Sequence, residues 1–246
     1  AEFIIANNYA VTQPILKRAN MLDQLVALTL KSIQVAEEAI QESGKNILLA
    51  ASLPPLETSY RSDLILDSAP MDLMYEELAS ILENNVDIII CETMSHSAEA
   101  RSALASIQHS KAQKWLSWTV YGNQSTLPSG ETITEAFNVV SDLKCDAYLI
   151  NCGGANLITQ GIKELRPLTN KRIGGYGNSE KIEVSKDDRS DRPEEDHWSS
   201  ATAINEKEYT EEVQIWVKEG ATIVAGCCRT RPSHIKHMAE AFGAKT

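Results

Sequence analysis

Five cysteines are spread over 246 residues, at Cys91, Cys145, Cys152, Cys227 and Cys228. Three of them stand at the ends of short apolar runs with glycine beside them. Cys152 closes the run 147–152 and is followed by Gly153-Gly154, while Cys227-Cys228 follow the run 222–226 and its last residue, Gly226. Three thiolates brought to one point would hold a zinc ion and leave its fourth position open, which is the arrangement of a catalytic zinc. Adjacent residues of a strand point to opposite faces. Both Cys227 and Cys228 can therefore reach one ion only if the chain bends, and Gly226 permits a bend, as do the glycines after Cys152. A second reading stands beside this one: free cysteines are small apolar residues that pack inertly in cores. Cys91 and Cys145 fit that second reading.

The elements that must position these residues alternate along the whole chain. Apolar runs at 3–5, 47–51, 86–91, 115–121, 147–152, 172–176 and 222–226 lack strict alternation, as strands covered on both faces do. Between them, apolar residues recur at spacings of three and four, for example Leu22, Val26, Ile33, Ala36 and Ile40, and these stripes are expected to face a core. Strand and helix alternate seven times, which implies a parallel sheet with helical crossovers. No glycine-rich dinucleotide fingerprint and no Walker-type loop is present. A (β/α)8 TIM-type barrel is therefore expected over a doubly wound sheet, as a single domain over residues 1–246.

Eight units are needed and seven are visible. The chain opens without Met and runs straight into a strand, so the first unit is expected to be missing and 3–5 to be an internal barrel strand. The stretch 178–205, with Lys186-Asp187-Asp188-Arg189 and Pro193-Glu194-Glu195-Asp196, is expected to be a solvated loop. Active sites of such barrels lie at the carboxyl ends of the strands. Those ends carry Asn7-Asn8-Tyr9, Ser52-Leu53-Pro54-Pro55, Glu92-Thr93, Tyr121-Gly122, Asn151-Cys152, Tyr176-Gly177-Asn178 and Gly226-Cys227-Cys228-Arg229-Thr230. His96 lies close to one of them and reads as a helix-start or surface residue.

Composition narrows the function classes. The net charge is −11 and the pI about 5.0, which argues against a binder of the nucleic-acid backbone, since that needs a basic face. No apolar run approaches the roughly 18 residues of a membrane span, and no signal peptide is recognisable. An odd number of cysteines with an adjacent pair fits reduced thiols in the cytoplasm.

Asn151-Cys152-Gly153-Gly154 together with Gly226-Cys227-Cys228-Arg229-Thr230-Arg231-Pro232 resembles the homocysteine S-methyltransferase family. The resemblance extends through Asn7-Asn8-Tyr9, Glu92-Thr93, Tyr176-Gly177-Asn178-Ser179 and the segment from Trp216 to Gly220-Ala221, and so covers essentially the whole chain. It implies a Zn2+ held by Cys152, Cys227 and Cys228, and methyl transfer to the thiol of homocysteine to give methionine. Among donors it favours S-methylmethionine, then S-adenosylmethionine, over betaine, and no cobalamin or folate module is expected to follow the barrel. On this reading Glu92 takes the substrate ammonium and Tyr9 faces the donor. Asn178 serves either loop structure or substrate, and Asn151 orients the cysteine loop. Ala225 departs from the family's usual glycine, and the family's glycine-rich opening turn has no counterpart. A zinc barrel without turnover, or a selenol acceptor, remains the alternative. The partners expected are small molecules, with a homo-oligomer left open.

Overall fold

The computed structural model describes residues 1–121, 126–182 and 201–243. The chain folds as two compact units: Ala1–Leu116 with Val139–Asp146, and Ser117–Asn138 with Ala147–Thr246.

The first unit contains β1 (Phe3–Ile5), α1 (Gln13–Arg18), α2 (Leu25–Ser43), β2 (Leu48–Leu53), α3 (Ser68–Leu82), β3 (Ile88–Met94) and α4 (Ser97–Ser106). It also holds the first half of β4 (Gln113–Thr119), which is shared between the units. β1, β2 and β3 pair in parallel, with Ile4 opposite Leu49 and Ala51 opposite Ile89. Every residue of β3 is buried, Glu92 and Thr93 included, and its apolar run Ile88–Cys91 is that of a strand covered on both faces. Helix α3 covers this layer with Met71, Tyr75, Leu78 and Leu82. α4 starts at His96, whose side chain accepts the Ala98 N–H at 3.1 Å, a helix-start role.

Two expectations are corrected here. Among the described residues β1 pairs with β2 alone, and so stands at the end of the strand order rather than inside it. The buried face of α2 is Leu25, Thr29, Ser32, Ile33 and Ala36, leaving Leu22 and Val26 exposed. Two hydroxyl residues sit on that face because each can satisfy itself within its own helix. Thr29 Oγ1 donates to Leu25 O at 2.8 Å and Ser32 Oγ to Thr29 O at 2.7 Å.

The second unit contains the end of β4, most of α5 (Ile133–Val140), β5 (Ala147–Gly154), α6 (Ala155–Leu165) and β6 (Arg172–Asn178). Then follow β7 (Glu180–Ile182), β8 (Ala201–Ala203), α7 (Glu206–Lys218), β9 (Ile223–Gly226) and α8 (Pro232–Ala241). β5, β6 and β9 are parallel neighbours. The sheet order is β1-β2-β3-β4-β5-β6-β9. Gly174 lets β9 approach β6, because a Cβ there would lie 2.0 Å from Ile223 O. α7 opens with a capping box formed by Asn205 and Glu208.

The stretch 178–205 is not wholly loop. Its ends form an antiparallel pair, β7 with β8, in which Lys181 faces Thr202. The charged runs 186–189 and 193–196 lie outside the described residues, as does Gly122. Among the described residues no helix is long and apolar enough to cross a membrane.

Candidate metal centre

The three thiols that end β5 and follow β9 converge. The Sγ atoms of Cys152, Cys227 and Cys228 lie within 4.8 Å of one another, with Cys152 and Cys228 at 3.7 Å. Zinc–sulfur bonds of about 2.3 Å in a tetrahedron place the sulfurs about 3.8 Å apart. The Cys152–Cys228 edge therefore already has the length that zinc requires, and the donor set, three soft sulfurs, suits that ion. Cys228 is exposed and the other two thiols are half-buried.

The backbone achieves this in a way the sequence reading did not foresee. The glycines are not what bends. Cys152 itself is left-handed, at φ 59°. Asn151 pairs with Tyr176 and Gly154 with Asn178, so two residues of β5 stand against one of β6. Such a bulge re-aims a side chain. On the other loop the Thr230 N–H donates to Cys227 O at 3.2 Å, closing a turn over Cys227–Thr230. Its third residue, Arg229, has φ 62°, the left-handed position of a type II turn. Gly226 serves space instead: a Cβ there would lie 2.4 Å from Thr230 Oγ1, which itself donates to Cys227 O at 2.6 Å.

Below the thiols, Tyr209 is fully buried and its hydroxyl lies 2.9 Å from both Gly177 O and Ala225 O, tying the ends of β6 and β9 together. Burial pushes its hydroxyl pKa upward, so it stays protonated and can keep donating. Hydrogen bonds from the Cys152 and Cys227 thiols, with help from the Arg229 guanidinium, hold Cys228 well below the usual thiol range. The reverse side of those bonds holds Cys227 above it.

Asn178 is buried among these loops. Its Nδ2 donates to Cys152 O at 3.4 Å and to Glu180 Oε1 at 3.0 Å, and its Oδ1 accepts the Cys228 N–H at 3.2 Å. Both ends of its amide thus engage the cysteine-bearing backbone. Asn151, also buried, accepts a hydrogen bond from Ser117 Oγ at 2.6 Å. Glu180 escaped the sequence reading, and Ser179 entered it only as part of the resemblance, with no role. They sit in a stretch read as solvated loop, and nothing local marks a surface glutamate from a buried one.

Glu92 and Tyr9 belong to the first unit. Glu92 lies within β3, not after it, and is 6 % exposed. Ser52 Oγ donates to its Oε1 in a short bond. Ser52 in turn exchanges two backbone bonds with the Asn8 amide, at 2.8 and 3.0 Å. Asn8 and Ser52 were visible in the sequence only as strand-end residues. The Tyr9 hydroxyl bonds Ser59 Oγ at 2.8 Å.

The crystal structure of homocysteine methyltransferase MmuM from Escherichia coli in its metallated form superposes with a TM-score of 0.80. Identity is 20 %, over 98 % of this chain and 80 % of that one. The apo form of the same protein gives a TM-score of 0.67. The fold is that of an α/β protein of the TIM-barrel type. The family model for homocysteine S-methyltransferase matches residues 1–242, and the chain belongs to that family. Homocysteine S-methyltransferase 1 of Brassica oleracea var. italica is 25 % identical, over 96 % of this chain and 77 % of that protein. The Zea mays protein of the same name is 24 % identical, over 100 % and 81 %. Selenocysteine Se-methyltransferase of Brassica oleracea var. italica is 28 % identical, over 71 % of this chain and 49 % of that protein.

Proposed function

We propose that this methyltransferase moves a methyl group from S-methylmethionine to homocysteine at a zinc site formed by Cys152, Cys227 and Cys228. The observation that carries the reading is the Cys152–Cys228 edge of 3.7 Å within a cluster of three thiols. Zinc at that site would supply the positive charge that makes the homocysteine thiol, normally protonated at neutral pH, a thiolate. The homocysteine sulfur then attacks the donor methyl carbon. A carbon–sulfur bond forms as the donor's breaks, and a neutral thioether leaves with the electron pair.

This chain's own residues do the rest. Three cysteine sulfurs concentrate negative charge, which keeps the acceptor sulfur electron-rich and favours a cationic sulfonium donor over a neutral one. Glu92, buried and with Ser52 holding one of its oxygens, is suited to a substrate ammonium. Tyr9 serves the donor side. Asn151 and Asn178 hold the cysteine backbone. The chemistry needs reduced thiols, which supports a cytoplasmic protein.

Metal analysis of the reduced chain with a donor screen against homocysteine tests the reading. One zinc per chain is expected, with S-methylmethionine the best donor. Cys→Ala at position 152, 227 or 228 should strip the metal, whereas Cys91→Ala and Cys145→Ala should keep it. A reduced chain without zinc, in which Cys228→Ala still methylates homocysteine normally, overturns it. The likeness to a selenocysteine methyltransferase supports one competing acceptor, and thiol–selenol competition decides between them.

A further inference from the structure

Three consecutive residues running from the end of β6 into β7, Asn178, Ser179 and Glu180, each hold a different part of the turn that carries Cys227 and Cys228. Asn178 Oδ1 accepts the Cys228 N–H at 3.2 Å. The Ser179 N–H donates to Cys228 O at 3.0 Å. Glu180 Oε2 pairs with Arg229 Nη1 at 2.8 Å, and Glu180 Oε1 accepts from Asn178 Nδ2 at 3.0 Å. Ser179 is itself anchored. Its hydroxyl donates to Ile204 O at 2.7 Å, so it can accept from His234 Nε2 at 2.9 Å. The Arg231 N–H donates to His234 Nδ1 at 3.2 Å, which leaves the ring proton on Nε2.

Two of these features are costly in isolation. Glu180 is 2 % exposed, and a carboxylate is buried only when it is paired and hydrogen-bonded. Arg229 occupies a left-handed backbone position without being glycine, which persists only where surrounding contacts over-determine it. One ion pair answers both through charge: Glu180 Oε2 meets Arg229 without a hydrogen bond, and the carboxylate's hydrogen bond is the one its Oε1 accepts from Asn178. The Glu180 carboxylate holds the Arg229 side chain, and through it the turn that presents Cys228. Its other oxygen orients the Asn178 amide, which touches the backbone of Cys152 as well as that of Cys228. Glu180 is not a member of the cluster of possible ligands, which comprises the three cysteines among the described residues.

We infer that Glu180 is the positioning residue of the thiol site: its buried carboxylate, bridging Arg229 and Asn178, holds the sulfurs of both cysteine loops at the spacing one zinc ion needs. This rests on the zinc reading above. Neighbours that orient metal ligands typically change affinity ten- to a hundredfold when removed.

The test is zinc affinity of the reduced full chain, by competition with a chromogenic chelator and without substrates, alongside thermal melting. Glu180→Gln should bind zinc about ten- to a hundredfold more weakly, with the zinc-free melting temperature near that of the original chain. Arg229→Gln, changing a side chain that is 43 % exposed and so tolerant of substitution, should weaken zinc in the same direction. Glu212→Gln is the control. Glu212 pairs with Lys181, the next residue of the same hairpin, at 2.7 Å, and its loss should leave zinc affinity unchanged. If the original chain binds no zinc, the zinc reading itself falls. If it binds zinc and Glu180→Gln matches it within about twofold, only this inference falls, and Arg229→Gln decides in the same way should Glu180→Gln not fold. An equal loss in Glu212→Gln would show mere hairpin stability and also overturn it.

Discussion

At the scale of the residue, two buried carboxylates of the first unit have separable tasks. Glu92 has Ser52 on one oxygen. Glu92→Gln should raise KM for homocysteine, about ten- to a hundredfold for the loss of a hydrogen-bonded charge worth roughly 1.5–3 kcal/mol, and leave zinc content intact. Unchanged homocysteine kinetics would remove Glu92 from the site. Glu99 instead clamps the segment after β2: its Oε1 accepts the Leu56 N–H at 3.0 Å and the Tyr75 hydroxyl at 3.2 Å. Burial raises its pKa above the ordinary 4.5, outweighing those two hydrogen bonds, which lower it. Between 4.5 and the raised value the folded chain binds a proton that the unfolded chain has released. Stability from this group therefore falls as pH rises through that window and returns as pH falls. Glu99→Gln keeps the oxygen acceptor and cannot titrate. Its urea midpoint relative to the original chain should climb as pH rises across the window and then level off; a flat or opposite difference rejects the assignment.

At the scale of the element, the site depends on how two strand ends finish. β5 ends in a bulge that turns Cys152, and β9 ends in a tight turn packed by Thr230 on Gly226. Gly226→Ala would push a methyl group to 2.4 Å from Thr230 Oγ1. It should cost about 1–3 kcal/mol of stability, as overpacking does, and weaken zinc binding, because the displaced threonine braces Cys227 O. A variant with unchanged melting and unchanged zinc affinity would show that the turn relaxes freely. Asn205→Ala, which removes the cap of α7, offers a contrast: about 1 kcal/mol of stability lost, seen as a lower melting temperature, with zinc affinity retained. The sequence showed where these elements are but misjudged their ends. Apolar runs mark the buried middle of a strand, whereas its last residues are polar because they serve a site. Glu92 was thus placed beyond β3 and Asn178 beyond β6, though both strands include them. The α2 stripe erred for a related reason, since hydroxyls satisfied within their own helix read as polar and yet are buried.

At the scale of the whole molecule, the cores are built from apolar side chains on sheet and helix, such as Ile88, Ile89, Ile90, Ile158, Val213 and Trp216, all buried. The thiols contribute little to them. Chelation should therefore abolish methyl transfer while the far-ultraviolet circular dichroism stays unchanged, and zinc should restore activity; loss of the helical signal on chelation would show instead that the metal holds the fold. The sequence by itself determined the alternation of strand and helix and the three thiols that could meet. Those properties follow from local periodicity and from the order of residues along the chain. Only the tertiary structure decided how the thiols meet. A cysteine and an arginine in left-handed backbone, a glutamate buried beneath an arginine, and an asparagine bonded to two separate loops all depend on partners distant in sequence. No local pattern encodes them, because each is unfavourable until the surrounding contacts form together.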